Sequence, residues 1–281
     1  MEGRLLSVSV GYASTLFHGD LVVETAFVKT PVSGAVQLGR LGLAGDEHVY
    51  RHHGGPDMAV LVYSYDHHPF WRDTVGVDLP AAAAFGENFT VDGLTESQVW
   101  LGDVFSVGAV LVQITQPRQP CFKIAARYGR RDLPLLVRQT GYSGYLLKVL
   151  EEGPVAAGDT LVLQERDPHG VSVAEAGRIL VADRPDGEAI RRLLGIESLA
   201  RSVRETLEAR LAKVSDHRLP GPFDNLGWAG RSARRRGGRH ELAGDLGGDG
   251  GGGGGSVHLL RTPGDGGSMG RGGDGMDGAD P

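Results

Sequence analysis

Over the first 165 residues, apolar and polar positions alternate with a period of two in many short runs, and glycine, aspartate and proline cut the runs apart. Residues 5–10, 22–28, 58–63, 104–107, 110–115 and 145–150 are β-branched or alternating and predict strands. Gly45-Asp46, Gly102-Asp103 and Gly158-Asp159 supply turns between them. So many short strands predict a β-barrel or sandwich. Apolar residues at helical intervals occur here only around 66–73 and 132–140.

The period changes at residue 172. Ser172 with Glu175 three positions on has capping-box spacing, and apolar residues then recur at helical intervals through 172–182, 187–194 and 196–214. This predicts a three-helix unit over 172–215 with Leu193, Leu194, Leu199, Leu207 and Leu211 facing inward. A unit of roughly forty residues is too small to be stable alone. It must pack on the β domain at 1–165 or on a second subunit, as in a homodimer.

From Asp216 the periodicity stops. Residues 216–281 hold about half of the chain's 45 glycines, including a run from Gly250 to Gly255, and an Arg234-Arg235-Arg236 cluster. Such a segment has too little to bury to offset its ordering entropy, which predicts a disordered tail. The glycine run contains the letters GxGxxG, but no strand precedes it and no helix follows, so it does not predict a dinucleotide site.

Composition narrows the class. At 281 residues, 40% hydrophobic and 23% charged, the chain holds one large or two modest domains. A formal charge of -6 argues against a nucleic-acid binder with a broad basic surface. The N-terminal run carries Arg4 but is interrupted by Ser7 and Ser9, which suits a strand and not a signal peptide. No stretch nears the roughly 18 apolar residues that span a bilayer, so no membrane role is expected. With one cysteine, a reducing cytoplasm fits best.

That cysteine, Cys121, closes the run Ile114-Thr-Gln-Pro117-Arg118-Gln-Pro120-Cys121-Phe-Lys123. Pro117 and Pro120 remove ladder donors and should hold the thiol on a stiff loop, and the cations Arg118 and Lys123 favour a thiolate there. A lone thiol acts as a nucleophile, as one soft metal ligand, or as a small apolar filler. Upstream, His53-Gly54-Gly55-Pro56-Asp57 is a turn whose glycines let backbone amides approach a ligand. His53 suits either a ligand contact or a loop pin. His48 and His52, with Cys121 or His67, form a weaker zinc alternative, without the HExxH spacing. Asp46 and Asp103 suit turns, and Trp71 and Trp100 suit the core.

Six ordered segments together resemble the MOSC family, the domain named for the C-terminal part of molybdenum-cofactor sulfurases. They are Ala26-Phe-Val-Lys29-Thr30-Pro31-Val32, Gly42-Leu-Ala-Gly45-Asp46, His53-Gly-Gly-Pro-Asp57, Phe85-Gly-Glu-Asn88, Leu101-Gly-Asp103 and Gln116-Pro-Arg118-Gln-Pro-Cys121. The likeness runs from about residue 3 to residue 215, because the helices from Ser172 resemble the three-helix extension of a stand-alone bacterial subgroup. Two positions depart from the pattern: Met58 stands where a basic residue is usual, and His68 where an aromatic is usual.

The resemblance implies a β-rich α+β fold, a MOSC-type β-barrel followed by the small three-helix unit. It implies a bound molybdenum cofactor (molybdopterin) with Cys121 as metal ligand or sulfur carrier, and His53 at the reacting centre. Lys29, Thr30, Gly54, Gly55, Asp57, Asn88 and Arg118 would hold the cofactor. The leading activity is two-electron reduction of a small N-hydroxylated compound, a base or amidoxime. No iron–sulfur cysteine cluster and no credible flavin or nicotinamide motif is present, so electrons would come from a separate reductase. A carrier holding a persulfide on Cys121, and a non-catalytic interaction module, are the alternatives.

Overall fold

In the computed structural model, which describes residues 1–216 apart from 20, 51, 52 and 185, the chain opens with the stave that closes the barrel. Strand β1 (Glu2–Val10) alternates exposed and buried positions through Ser7 and is then buried. The period-two half has one face in water; the rest is covered on both faces. The hairpin β2 (Ser14–His18) and β3 (Leu21–Thr25), with the short strands β4 (Thr30–Pro31), β5 (Val36–Gly39) and β6 (Gly42–Leu43), decorates the barrel's rim.

The other staves are β7 (Val60–Ser64), β8 (Phe89–Asp92), β9 (Val104–Val107), β10 (Val110–Pro117), β11 (Tyr145–Glu151) and β13 (Thr160–Glu165); β12 (Gly153–Val155) pairs with β5. They pair in the order β1, β13, β9, β10, β11, β7, β8 and back to β1. The seven strands therefore form a closed ring with no open edge. Every pair is antiparallel except β7–β8. A parallel neighbour needs a crossover, and residues 65–88 supply it with one compound helical segment: a 3-10 turn Tyr65–His67, the short helix α1 (His68–Phe70) and a π-helical turn Trp71–Val75.

Leu5, Val62, Phe89, Phe105, Ile114 and Leu147 fill the barrel core. A second cluster of Trp71, Tyr63, Phe85, Ile124, Leu133 and Val137 joins the crossover to helices α2 (Lys123–Tyr128) and α3 (Leu133–Thr140). The Trp71 indole donates to the Tyr63 hydroxyl at 2.6 Å, so its one polar atom is satisfied inside that cluster. Trp100 is half-buried and carries the Arg166 guanidinium over its ring at 4.2 Å.

Helices α4 (Val173–Val181), α5 (Gly187–Leu194) and α6 (Arg201–Asp216) follow. Ser172 caps α4 by accepting the Glu175 amide, and Asp186 does the same for Glu188 at α5. Leu193, Leu199 and Leu207 are buried, Leu194 and Leu211 pack beside them, and all belong to one cluster with the barrel residues. The unit therefore packs on the β domain.

Several boundaries differ from the sequence expectation, each for a local reason. The strand expected over 22–28 stops at Thr25, whose hydroxyl accepts the Phe27 amide at 3.0 Å and turns the chain. The strand expected from Met58 starts at Val60, because Pro56 opens a 3-10 turn. The last helix starts at Arg201, not Ile196; the first free amide of that helix is taken by the Asp57 carboxylate at 3.1 Å, 144 residues away. Strand β10 reaches Pro117, where a missing donor at the strand's end breaks no ladder. The tail expected to be disordered lies outside the described residues.

Candidate functional site

The bulged pairing of β10 with β11 ends at Pro117 and Tyr145, and the chain then leaves the sheet as the loop carrying Cys121. The loop is held from both sides. The Arg118 amide donates to the Gly144 carbonyl at 2.9 Å, and the Gly144 amide donates to Glu96 at 2.7 Å. Glu96 is itself paired with the buried His67 at 2.6 Å. Gly144 has φ +81°, and a Cβ there would stand 2.2 Å from the Val62 carbonyl oxygen, so only glycine allows this approach. At the far end the Cys121 carbonyl accepts the Ile124 amide at 3.2 Å, which starts α2.

Cys121 is half-buried in the wall of a cavity of about 590 Å³. That volume lies in the usual range for a ligand pocket. Arg118, Lys123, Gln116, His48, Tyr50 and His53 line the same space. Arg118 is buried, and its Nη2 donates to the Phe85 carbonyl at 3.1 Å. That carbonyl is presented by a turn built around Glu87, a fully buried carboxylate that accepts from the Ala84 and Phe85 amides and the Thr90 hydroxyl. Burial pushes the Glu87 carboxyl up, against the pull of those donors.

Two buried polar atoms in this wall have no protein partner: Arg118 Nη1 and Gln116 Oε1. They belong to residues two apart at the end of β10, both of which line the cavity. Burial lowers the basicity of Arg118 and of Lys123, and in both the opposing pull comes first from Cys121. Lys123 holds its ammonium over the Tyr50 ring at 5.6 Å. The wall beside the thiol is thus cationic, dehydrated and short of hydrogen-bond partners, a surface that an anionic ligand relieves.

The residues expected in the site divide into three groups. Cys121, His53, Gly54 and Arg118 line the cavity; Gly54 lies on the His48 imidazole, and His53 packs edge-on to Tyr50 with ring centroids 5.2 Å apart. Lys29 and Asn88 also line it, but their polar atoms are bound to the protein. Lys29 is ion-paired with Asp46, and burial still lowers its pKa. Asn88 donates to Asp46 at 2.8 Å and to the Ser9 carbonyl at 3.2 Å, and accepts the Leu61 amide at 3.1 Å. Thr30, Gly55 and Asp57 are outside the lining: Thr30 is exposed in β4, Gly55 precedes a 3-10 turn, and Asp57 caps α6.

Sequence reasoning did not assign Gln116, Glu87 or Tyr50 to the site. Gln116 and Glu87 sat inside quoted motifs, and only burial without a partner, or beneath a turn, distinguishes them. For the zinc alternative, no group of three His, Cys, Asp or Glu among the described residues is arranged to hold a metal ion, and His52 lies outside them. No described helix is long and apolar enough to cross a membrane.

A closed seven-stranded barrel with a cysteine loop at a cationic cavity, followed by three helices, defines a MOSC-type barrel protein with a helical extension. Residues 49–162 match the MOSC domain and residues 171–214 the YiiM-like 3-alpha helix domain. The chain is 43% identical over 217 residues to the uncharacterized protein YflK of Bacillus subtilis, covering 77% of this chain and 96% of that one. It is 38% identical over 189 residues to protein YiiM of Escherichia coli, covering 66% and 84%. A protein of Gibberella moniliformis named "Reductase" is 35% identical over 184 residues, which are 64% of this chain and 32% of that one. Among solved structures, YiiM from Geobacillus stearothermophilus superposes with a TM-score of 0.64 at 36% identity, covering 74% of this chain and 99% of that one. The chain belongs to the MOSC domain family and carries a YiiM-like three-helix domain after the barrel.

Proposed function

We propose that this protein is a molybdenum-cofactor enzyme that reduces N-hydroxylated compounds, with Cys121 as the protein ligand to the metal. The observation that carries the proposal is the pair of buried, unpartnered atoms Arg118 Nη1 and Gln116 Oε1 in the wall that holds Cys121. A buried donor and acceptor left unpaired each cost about 1–3 kcal/mol, a deficit that a bound group offering both would relieve. A pterin edge has adjacent donors and acceptors, its phosphate suits Arg118 and Lys123, and its dithiolene metal is a soft site that a thiolate suits. The chemistry of this wall fits the cofactor. The fungal relative named "Reductase" supports the reaction class.

The bound cofactor would supply two-electron redox chemistry at the cavity. The reaction is R–NH–OH plus two electrons and two protons giving R–NH2 and water; the N–O bond breaks and its oxygen leaves as water. Arg118 and Lys123 hold the anionic groups, and Gln116 accepts a hydrogen bond from the bound ligand. His53 is the proton donor to the leaving oxygen. Glu96 and Glu87 act through Gly144 and Phe85, fixing the Cys121 loop and the Arg118 fork. A reducing cytoplasm suits a thiol with this task.

The test is metal and mass analysis of protein from a molybdate-fed host, followed by reduction of an N-hydroxylated purine driven by reduced methyl viologen. Stoichiometric molybdenum and turnover are expected, with Cys121→Ser lowering turnover by orders of magnitude while the melting temperature holds. Metal-free protein carrying sulfane sulfur on Cys121 would instead establish the persulfide carrier. Wild-type turnover in fully loaded Cys121→Ser would end the ligand assignment.

A further inference from the structure

Behind the Cys121 loop lies a second concavity, a groove of about 170 Å³ between the end of α3 and one face of α4. Its floor is Pro117–Pro120, and Arg118, Gln119 and Pro120 also line the main cavity, so a single loop separates the two spaces. On the helical side the lining residues Ala174, Gly177, Arg178 and Val181 are spaced i, i+3, i+4, i+7, which is one continuous stripe of α4. Gly177 keeps the groove open: a Cβ there would make ordinary contact with Pro117 at 3.9 Å and nothing closer.

The electrostatics of this groove are opposite in sign to the chain as a whole. Arg138 and Arg178 line it, both are exposed, and neither has an ion-pair partner among the described residues. Elsewhere Arg72, Arg130 and Arg192 are each paired with a carboxylate, while Arg131, Arg191 and Arg201 are exposed without one among the described residues but do not line this groove. The formal charge of the chain is -6, so a groove lined by two arginines without carboxylate partners is locally cationic against the overall charge. Apolar side chains stand beside them. Leu135, three residues before Arg138 on α3, is 49% exposed, and Val181 is 39% exposed. An apolar groove rimmed by unpaired cations complements an apolar patch rimmed by carboxylates.

We infer that this groove docks an acidic flavoprotein that delivers electrons through the Cys121 loop. The inference rests on the reductase function proposed above. That reaction consumes two electrons per turnover, and a chain with one cysteine has no iron–sulfur centre of its own to store them. Electron transfer weakens steeply with distance, so a donor is best received where the wall over the site is one loop thick. Two flavodoxin hydroquinones each give up one electron and become semiquinones; two protons from solvent complete the conversion of R–NH–OH to R–NH2 and water.

The probe is flavodoxin, an acidic FMN protein. Oxidised flavodoxin should bind the metal-free protein, read by anisotropy of the flavin fluorescence, and the binding should weaken as salt screens the charges. The double variant Arg138→Glu with Arg178→Glu should weaken binding by at least about tenfold and flatten its salt dependence. Gly177→Met, which fills the groove without changing charge, should weaken it as well. In the cofactor-loaded enzyme both variants should slow the flavodoxin-driven rate by a similar factor and leave the methyl viologen-driven rate unchanged. Equal binding and equal flavodoxin-driven rates in wild type and variants would overturn the assignment, as would electron delivery by viologen but not by flavodoxin. Absence of viologen-driven turnover would sink the reductase function instead, while the binding measurement on metal-free protein still judges the groove.

Discussion

Replacing Asp57 by alanine separates a ligand-binding aspartate from a structural one. The family motif ends at Asp57, yet the carboxylate accepts the Arg201 amide at 3.1 Å, at the start of a helix of 16 residues. It works as an N-cap supplied from another part of the chain. Loss of such a cap costs about 1 kcal/mol, up to about 2, and removing a negative charge from a helix N-terminus adds about 0.3–1 kcal/mol. Asp57→Ala should therefore destabilise by roughly 1.5–3 kcal/mol. At about 2–4 °C per kcal/mol for a domain of this size, the melting temperature should fall by about 3–12 °C. Asp57→Asn keeps an acceptor and should lose only the charge contribution. The Asp57 carbonyl, which accepts the Thr115 hydroxyl at 2.7 Å, is present in both variants. Circular dichroism melting, paired with molybdenum content, is the assay. A variant that melts like wild type but loses its metal would refute the capping role and return Asp57 to the binding site.

His68 is held neutral, its pKa lowered to about 4 by burial and then by neighbouring His67. Its contribution is intact above the unfolded value near 6.5 and is lost as pH falls toward 4, by at most about 3 kcal/mol. His68→Phe should remove that part of the pH dependence in urea titrations, and an unchanged dependence would count against it. Asn88→Ala strips three hydrogen bonds and leaves the Ser9 carbonyl, the Leu61 amide and Asp46 short of a partner. It should cost several times the ~1 kcal/mol of a single hydrogen bond in chemical denaturation; a stable variant that merely loses cofactor would show its amide serves the ligand. Leu207 is fully buried against the barrel, so Leu207→Ala should cost about 2–5 kcal/mol and Leu207→Asp at least as much. A melting temperature unmoved by either would mean the three helices do not share the barrel's core.

The sequence by itself determined the class of fold, the order of its parts and the loop that carries Cys121. Periods of two and of 3.6 are local properties, so the strands at 104–107 and 145–150, the N-cap at Ser172 and the inward leucines of the last helices were legible. The cysteine loop was legible because two prolines and two cations flank the one thiol. Strands Phe89–Asp92 and Thr160–Glu165 were not, since their pairing with β1 is what makes them staves. Closure of the ring, the parallel β7–β8 pair and the start of α6 under Asp57 depend on partners far along the chain. The same holds for the site. Motifs listed side chains that suit a ligand, but whether a polar atom is free to bind depends on what else reaches it. Tertiary structure commits Lys29, Asn88 and Asp57 to protein partners and leaves Gln116 and Arg118 each with one buried atom unmet. Hydrogen-bond satisfaction is a property of the packed chain, and no run of letters records it.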